Sequence, residues 1–257
     1  MLADKVVLVA GVGPGLGRAV AVRAAQQGAD VVLAARTESY LTEVAGKVTA
    51  AGRRALVVPA DLTDEDSSAA LVRTALDRFG RVDGLVNNAF AMPPMRSLGK
   101  VDLDDLRASF DVNVFAALRL TRLLTPALVE SGGAVVMVNS AVLRHSRRPF
   151  GPYKLAKAGL LAVAQNLASE LGPLGVRVNS VAPGWIWADS LRMWFDYQAN
   201  QRGVPTRQIY DEIAAGTDLR RLPEPDEVAD AVLFLLSGLA RGITGQCLDV
   251  NCGEFHH

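Results

Sequence analysis

Val6-Val7-Leu8-Val9-Ala10-Gly11-Val12-Gly13-Pro14-Gly15-Leu16-Gly17-Arg18 is the stretch on which the fold turns. Five apolar residues without a polar break read as a strand covered on both faces, the pattern of a parallel sheet. The strand runs straight into glycines spaced Gly-x-x-x-Gly-x-Gly at Gly11, Gly15 and Gly17, and helical periodicity then extends over 15–27. Strand, glycine turn, helix is the order that binds a pyrophosphate. Glycines let the backbone come close, and the free N–H groups and dipole at the helix start favour negative charge. A turn kept only for tight geometry would show similar glycines, but the position at the first strand–helix junction favours a dinucleotide. Leu16 rules out the commoner Gly-x-Gly-x-x-Gly spacing, and the absence of Gly-Lys-Ser/Thr rules out a P-loop.

Further β-branched runs follow at 31–35, 55–59, 84–87, 134–139 and 176–181, separated by helical segments at 38–51, 65–79, 103–130 and 153–171. A last helix at 226–236 and a last strand at 246–250 close the series. This alternation predicts a single α/β domain over 1–257, a Rossmann-type doubly wound parallel sheet with helices on both faces. Residues 185–222 show no clear period and are expected to form an irregular insertion, a candidate substrate lid.

Charge and composition narrow the function classes. The chain has 27 basic and 27 acidic residues, so no broad field draws it toward nucleic acid or an anionic membrane. Two cysteines and three histidines supply neither a disulfide framework nor metal-ligand spacing, so no metal is expected and reduced thiols point to the cytoplasm. The apolar stretch at 228–239 is too short to cross a bilayer, and no membrane span is expected.

Tyr153 and Lys157, four apart on a predicted helix, share one face. Ser140 ends the preceding strand, on the sheet edge where open α/β folds bind ligands, and so falls in the crevice of the glycine turn. Reducing a carbonyl needs a proton donor, yet a free phenol titrates near pH ~10. The Lys157 ammonium is expected to favour phenolate; lowering Tyr153 by about three units asks for about 4 kcal/mol. Ser140 would polarise the carbonyl oxygen, with Tyr153 as acid in reduction and base in alcohol oxidation. By spacing alone such a pair is more often a solvated stripe; the serine and the glycine turn give it meaning.

With these residues in place, the chain resembles the short-chain dehydrogenase/reductase family over nearly its whole length. The resemblance rests also on Asp61-Leu62-Thr63, Asn87-Asn88-Ala89 and Arg177-Val178-Asn179-Ser180-Val181-Ala182-Pro183-Gly184. It implies that Asp61 and Leu62 border an adenine, that Asn88 and Ala89 run along the cofactor, and that Pro183, Gly184 and Ile186 flank the nicotinamide. It implies further that Asn113 completes a catalytic tetrad by holding a relay water, that Lys157 also bonds the nicotinamide ribose, and that the protein is a homotetramer or homodimer. Several positions depart from the family pattern: Ala10 replaces a threonine, Pro14 offers no N–H, Phe90 replaces a glycine, Ala188 a threonine and Cys252 a glycine.

The expected function is hydride transfer between a nicotinamide cofactor and the carbonyl or secondary alcohol carbon of a small molecule. NADP(H) is favoured over NAD(H), because Ala35 replaces the acid that would bond a ribose 2′-hydroxyl and Arg36 offers a planar fork to a 2′-phosphate. An NAD-dependent alcohol or hydroxysteroid-type dehydrogenase, a sugar-nucleotide epimerase and a non-catalytic dinucleotide sensor are the alternatives. Trp185, Trp187 and Trp194 in the lid, with Phe90 and Val142, are expected to line a hydrophobic substrate site, although the lid aromatics could equally pack on themselves. Arg144-His145-Ser146-Arg147-Arg148 reads as a solvated turn in preference to an anion site. No role is assigned to the terminal Glu254-Phe255-His256-His257.

Overall fold

The structure, a computed structural model, describes residues 1–256. Its centre is a seven-stranded, wholly parallel sheet of order β3-β2-β1-β4-β5-β6-β7. The strands are β1 (Val6–Ala10), β2 (Asp30–Ala35), β3 (Ala55–Pro59), β4 (Gly84–Asn87), β5 (Ala134–Val138), β6 (Arg177–Pro183) and β7 (Cys247–Val250). Strand alternation divides the core into two layers. Val7 and Val9 pack with α1 (Leu16–Gln26), α2 (Glu38–Ala50) and α9 (Pro225–Leu236), whereas Val6, Leu8 and Ala10 face α3 (Glu65–Phe79), α5 (Ala116–Ser131) and α6 (Gly151–Leu171). The order reverses at β1, whose neighbours are β2 and β4. Their helices leave toward opposite faces, so a crevice opens at the carboxyl ends of β1 and β4.

Two expectations about the elements are corrected. The segment 103–130 is not one regular helix: α4 (Leu103–Phe110) passes into a π-turn (Asp111–Phe115) before α5. By length and composition Leu103–Ser131 could cross a membrane, but Leu120, Leu124 and Leu128, at helical spacing, are fully buried in the core under the sheet. The segment 185–222 is not irregular; it folds into α7 (Asp189–Arg202) and α8 (Thr206–Ala214) around Phe195, Ala199, Ile209, Ala214 and Leu222. α7 buries only Phe195 and Ala199, too few to print an apolar stripe on the sequence, whereas the stripe of α8, Ile209, Tyr210, Ile213 and Ala214, is at helical spacing but spans only a nine-residue helix.

Opposite the crevice, at the amino ends of the strands, a buried acid holds three strands together. Asp83 accepts from Lys5 Nζ at 3.0 Å, Val6 N at 2.9 Å and Arg81 Nε at 2.9 Å, while its backbone carbonyl receives Ala134 N at 3.0 Å. Burial alone would raise its pKa, but the hydrogen bonds from Arg81, Val6 and Lys5 outweigh that and hold it below 3.8. The native state therefore favours the carboxylate. Its contribution is full above the ordinary value and is lost as pH falls through the lowered one. Asp83→Asn should cost about 1–3 kcal/mol at neutral pH in urea unfolding, and the gap from wild type should close as pH drops below 3.8.

Candidate active site

The glycine turn lies at the β1 side of the crevice and is shaped for close approach. Gly11 has φ +97°, and a Cβ there would lie 2.3 Å from Ala89 N; a Cβ on Gly17 would lie 2.4 Å from Gly11 O. Across the crevice, Asn88 Nδ2 donates to Gly11 O at 2.6 Å. The amides of Gly15, Leu16 and Gly17 find no intrachain acceptor among the described residues, α1 has no side-chain cap, and no acid stands in its first turn. Gly13 faces open space. An anion fits this cradle on both geometry and charge, so the residues suit the pyrophosphate of a dinucleotide.

Three predicted catalytic groups converge beyond β5. Ser140 starts a short 3-10 turn (Ala141–Arg144), where its Oγ accepts from Val142 N at 3.2 Å and lies within hydrogen-bonding reach of Tyr153. Tyr153 stands in the first turn of α6. One turn later Lys157, 2% exposed, donates from Nζ to Val138 O at 2.9 Å and lies 5.7 Å from the centre of the Tyr153 ring. The fourth group, Asn113, occupies the π-turn. Its Nδ2 donates to Ala91 O at 2.8 Å and Ser109 O at 2.9 Å, whereas its buried Oδ1 has no partner among the described residues.

The electrostatics differ from the expected pairing. Burial pushes the Tyr153 phenol up to about 12, opposed only by the hydrogen bond with Ser140, and burial pulls Lys157 down to about 7. Lys157 does not lower Tyr153 here, because its ammonium is turned to the Val138 carbonyl and burial disfavours both charged forms. At neutral pH the pair rests as a neutral phenol beside a partly ionised amine.

The remaining predicted positions separate into two groups. Arg36 is exposed at the end of β2, and its charge helps lower Asp61, after the two hydrogen bonds that Thr63 gives that carboxylate. Leu62 and Ile186 are half-buried, and Pro183 ends β6 with Gly184 N bonded to Val250 O. Phe90 is exposed, and Trp194 stacks on Trp185 at 5.7 Å. Trp187 turns away into the small core of α7 and α8, against Phe195 at 5.2 Å and Tyr210 at 4.7 Å. Val142 is buried within the turn that Ser140 caps, 4% exposed. The basic run is not simply solvated: Arg144 pairs with Asp249 at 3.2 Å, and His145 sits between Phe150 and Phe255. Sequence reasoning missed Phe150, which meets the Trp185 ring edge-on at 6.4 Å, and Glu254, which accepts from Trp185 Nε1 at 3.3 Å. Neither belongs to a periodic pattern, so only the fold brings them to the cleft.

Comparison with known proteins agrees with this geometry. The family model described as enoyl-(acyl carrier protein) reductase matches residues 11–254. The 7alpha-hydroxysteroid dehydrogenase of Escherichia coli K12 is 31% identical over 253 residues, covering 98% of this chain and 94% of that protein. Human dehydrogenase/reductase SDR family member 4 is 33% identical, covering 98% and 88%. Among solved structures, a 7 alpha-hydroxysteroid dehydrogenase complexed with NADH and 7-oxo glycochenodeoxycholic acid superposes with TM-score 0.88 at 30% identity, covering 98% of this chain and 94% of that one. Levodione reductase superposes with TM-score 0.91 at 28% identity, covering 99% and 98%.

The buried lysine makes a stability prediction. A lysine at 10.5 unfolded and about 7 folded means that the unfolded chain binds more protons between those values, so stability rises with pH across that window. Lys157→Met removes the penalty. In thermal melts it should be more stable than wild type at pH 7 by several degrees, with the advantage shrinking as pH approaches 10.5.

Proposed function

The chain belongs to the short-chain dehydrogenase/reductase family, and from that premise we propose that this oxidoreductase transfers a hydride between NADP(H) and the carbonyl or secondary alcohol carbon of a small, largely apolar substrate, with Tyr153 as general acid and base. The observation that carries the reading is the convergence of Ser140, Tyr153 and Lys157 at the carboxyl end of β5, in the sheet whose switch point holds the glycine cradle.

Bound along Gly11, Gly15, Leu16, Gly17, Asn88 and Ala89, a nicotinamide dinucleotide would supply or accept the hydride. The proton belongs to the chain's own residues. Tyr153, held neutral by burial, offers its hydroxyl to the substrate oxygen, and Ser140 Oγ steadies the same oxygen from the strand end. Lys157, anchored on Val138 O, fixes α6 against β5 and keeps a titratable amine behind the phenol ring. Asn113 presents an unpartnered Oδ1 as an acceptor for a proton path. An apolar substrate is favoured by Phe90, Met92 and Met95 after β4 and by Met193 and Trp194 on the lid, all of them exposed. The relative solved with a 7-oxo bile acid supports a substrate of that kind.

Cofactor choice rests on Ala35 and Arg36. Ala35 leaves no carboxylate to bond a ribose 2′-hydroxyl or to repel a 2′-phosphate, and the exposed Arg36 guanidinium can bond such a phosphate from two nitrogens. NAD(H) is the second reading, favoured by the relative solved with NADH. The exposed apolar side chains of Leu103, Phe115 and Leu123 on α4, the π-turn and α5 support pairing with a second copy.

Tyr153→Phe should retain cofactor affinity while turnover falls below about one per cent of wild type, read by nicotinamide absorbance and by cofactor titration. Residual turnover above that level would remove Tyr153 from the acid–base role. For Arg36→Ala, the ratio of kcat/KM with NADPH to that with NADH should fall by about tenfold or more. A wild type that prefers NADH, or an unchanged ratio, would assign the enzyme to the NAD reading.

A further inference from the structure

Beside the aromatic wall of the cleft lies a cavity of about 440 Å3, between the chain that follows Ser140 and the first turns of α6. Its lining combines apolar surface from Leu98, Phe150 and Leu155 with the cationic groups of Arg147, Arg148 and Lys154. Leu98 and Leu155 are 55% and 43% exposed, so this apolar surface is left open. Lys154 is already engaged, since its Nζ donates to His145 O at 2.6 Å and to Ser146 Oγ at 3.1 Å, tying the turn to the helix. Among the described residues the two arginine side chains have no such anchor. Arg144, just before them, is paired with Asp249, but among the described residues no carboxylate lies within 4 Å of Arg147, Arg148 or Lys154. The acid that senses Arg147 is Glu254, half-buried and bonded to Trp185.

Unpaired cations around an apolar cavity give it a positive field in a chain whose net charge is zero. The imidazole of His145, which also lines the cavity, reports that field: burial first, then Arg147 and Lys154, hold it below its ordinary value. Continuity with the reaction site runs through rings. His145 meets Phe150 at 5.4 Å, Phe150 meets Trp185 at 6.4 Å, and Phe150 precedes Tyr153 by three residues.

We infer that this cavity is a subsite for a carboxylate at the far end of an apolar substrate, bonded by Arg147 and Arg148 while the reacting carbonyl lies at Tyr153. Guanidinium forks match a carboxylate in two parallel hydrogen bonds, and Leu98, Phe150 and Leu155 would cover the chain between the two ends. The inference deepens the oxidoreductase reading and rests on it for the orientation of the ligand, but the subsite can be tested without turnover.

The test is calorimetric titration of the full chain with decanoate and with decan-1-ol, which share an apolar body and differ in charge. Wild type should bind decanoate about tenfold more tightly than the alcohol, and Arg147→Ala/Arg148→Ala should reduce that gap to about twofold or less. Arg148→Glu, with a melting curve to check the fold, should reverse the preference. Equal affinities in wild type, or a gap that survives both variants, overturn the subsite. A second arm compares kcat/KM for 9-oxodecanoate and its methyl ester, and the acid should lead by a similar factor in wild type only. If charge-dependent binding is found but no carbonyl compound turns over, the subsite stands and the catalytic reading falls; turnover that ignores the carboxylate keeps the catalytic reading and removes the subsite.

Discussion

The 2.6 Å hydrogen bond from Asn88 Nδ2 to Gly11 O joins the ends of β1 and β4 across the switch point, and much of the site is built outward from it. On one side it fixes the turn whose free amides open α1. On the other it sets the course of the chain leaving β4, which three residues later presents Ala91 O to Asn113. Gly11 and Gly17 leave no room for a side chain because Ala89 and Asn88 already occupy that space. The cradle and the π-turn are thus two ends of one short run of backbone, and displacement of either strand end would be felt at both.

Polar groups are treated differently at the two ends of the sheet. At the amino ends, Asp30 and Asp83 are buried with multiple donors around them, from Arg54 in one case and from Lys5, Val6 and Arg81 in the other. At the carboxyl ends, the Oδ1 atoms of Asn113 and Asn139 are buried without partners among the described residues, and burial shifts Tyr153 up and Lys157 down from their ordinary titration ranges. Satisfied charge stabilises one edge, while the opposite edge carries the costs of chemistry. The division follows from parallel strands, which place every helix start that can meet an anion on the same edge.

Legibility in the sequence followed how locally each feature is encoded. β1, β3 and β4 lie where continuous apolar runs put them, and Tyr153 and Lys157 share a face because helical spacing requires it. In the 185–222 segment α7 is hard to read because Phe195 and Ala199 are too few to mark a face, while α8 marks one with Ile209, Tyr210, Ile213 and Ala214 but over only nine residues. Trp187 and Trp194 lie seven residues apart in one segment, yet one turns into the small core of α7 and α8 and the other outward, a choice that depends on where α8 packs. The expected effect of Lys157 on Tyr153 is absent for a related reason: spacing brings the two together, but only the fold shows that Lys157 is buried with its amine bonded to Val138 O.

The π-turn at Asp111–Phe115 also bears on any attempt to tidy this region. One residue more than a regular turn needs is stored there, and each residue of an α-helix rotates its side chain by about 100°. Deleting that residue would produce a smoother, better-bonded rod from Leu103 to Ser131, and by propensity alone a redesign would prefer it. The same repair would swing everything on one side of the bulge off its bearing, either taking Asn113 away from Ala91 O or taking Leu120, Leu124 and Leu128 out of the core. Regularity and aim are exclusive in this helix, and the chain has kept aim.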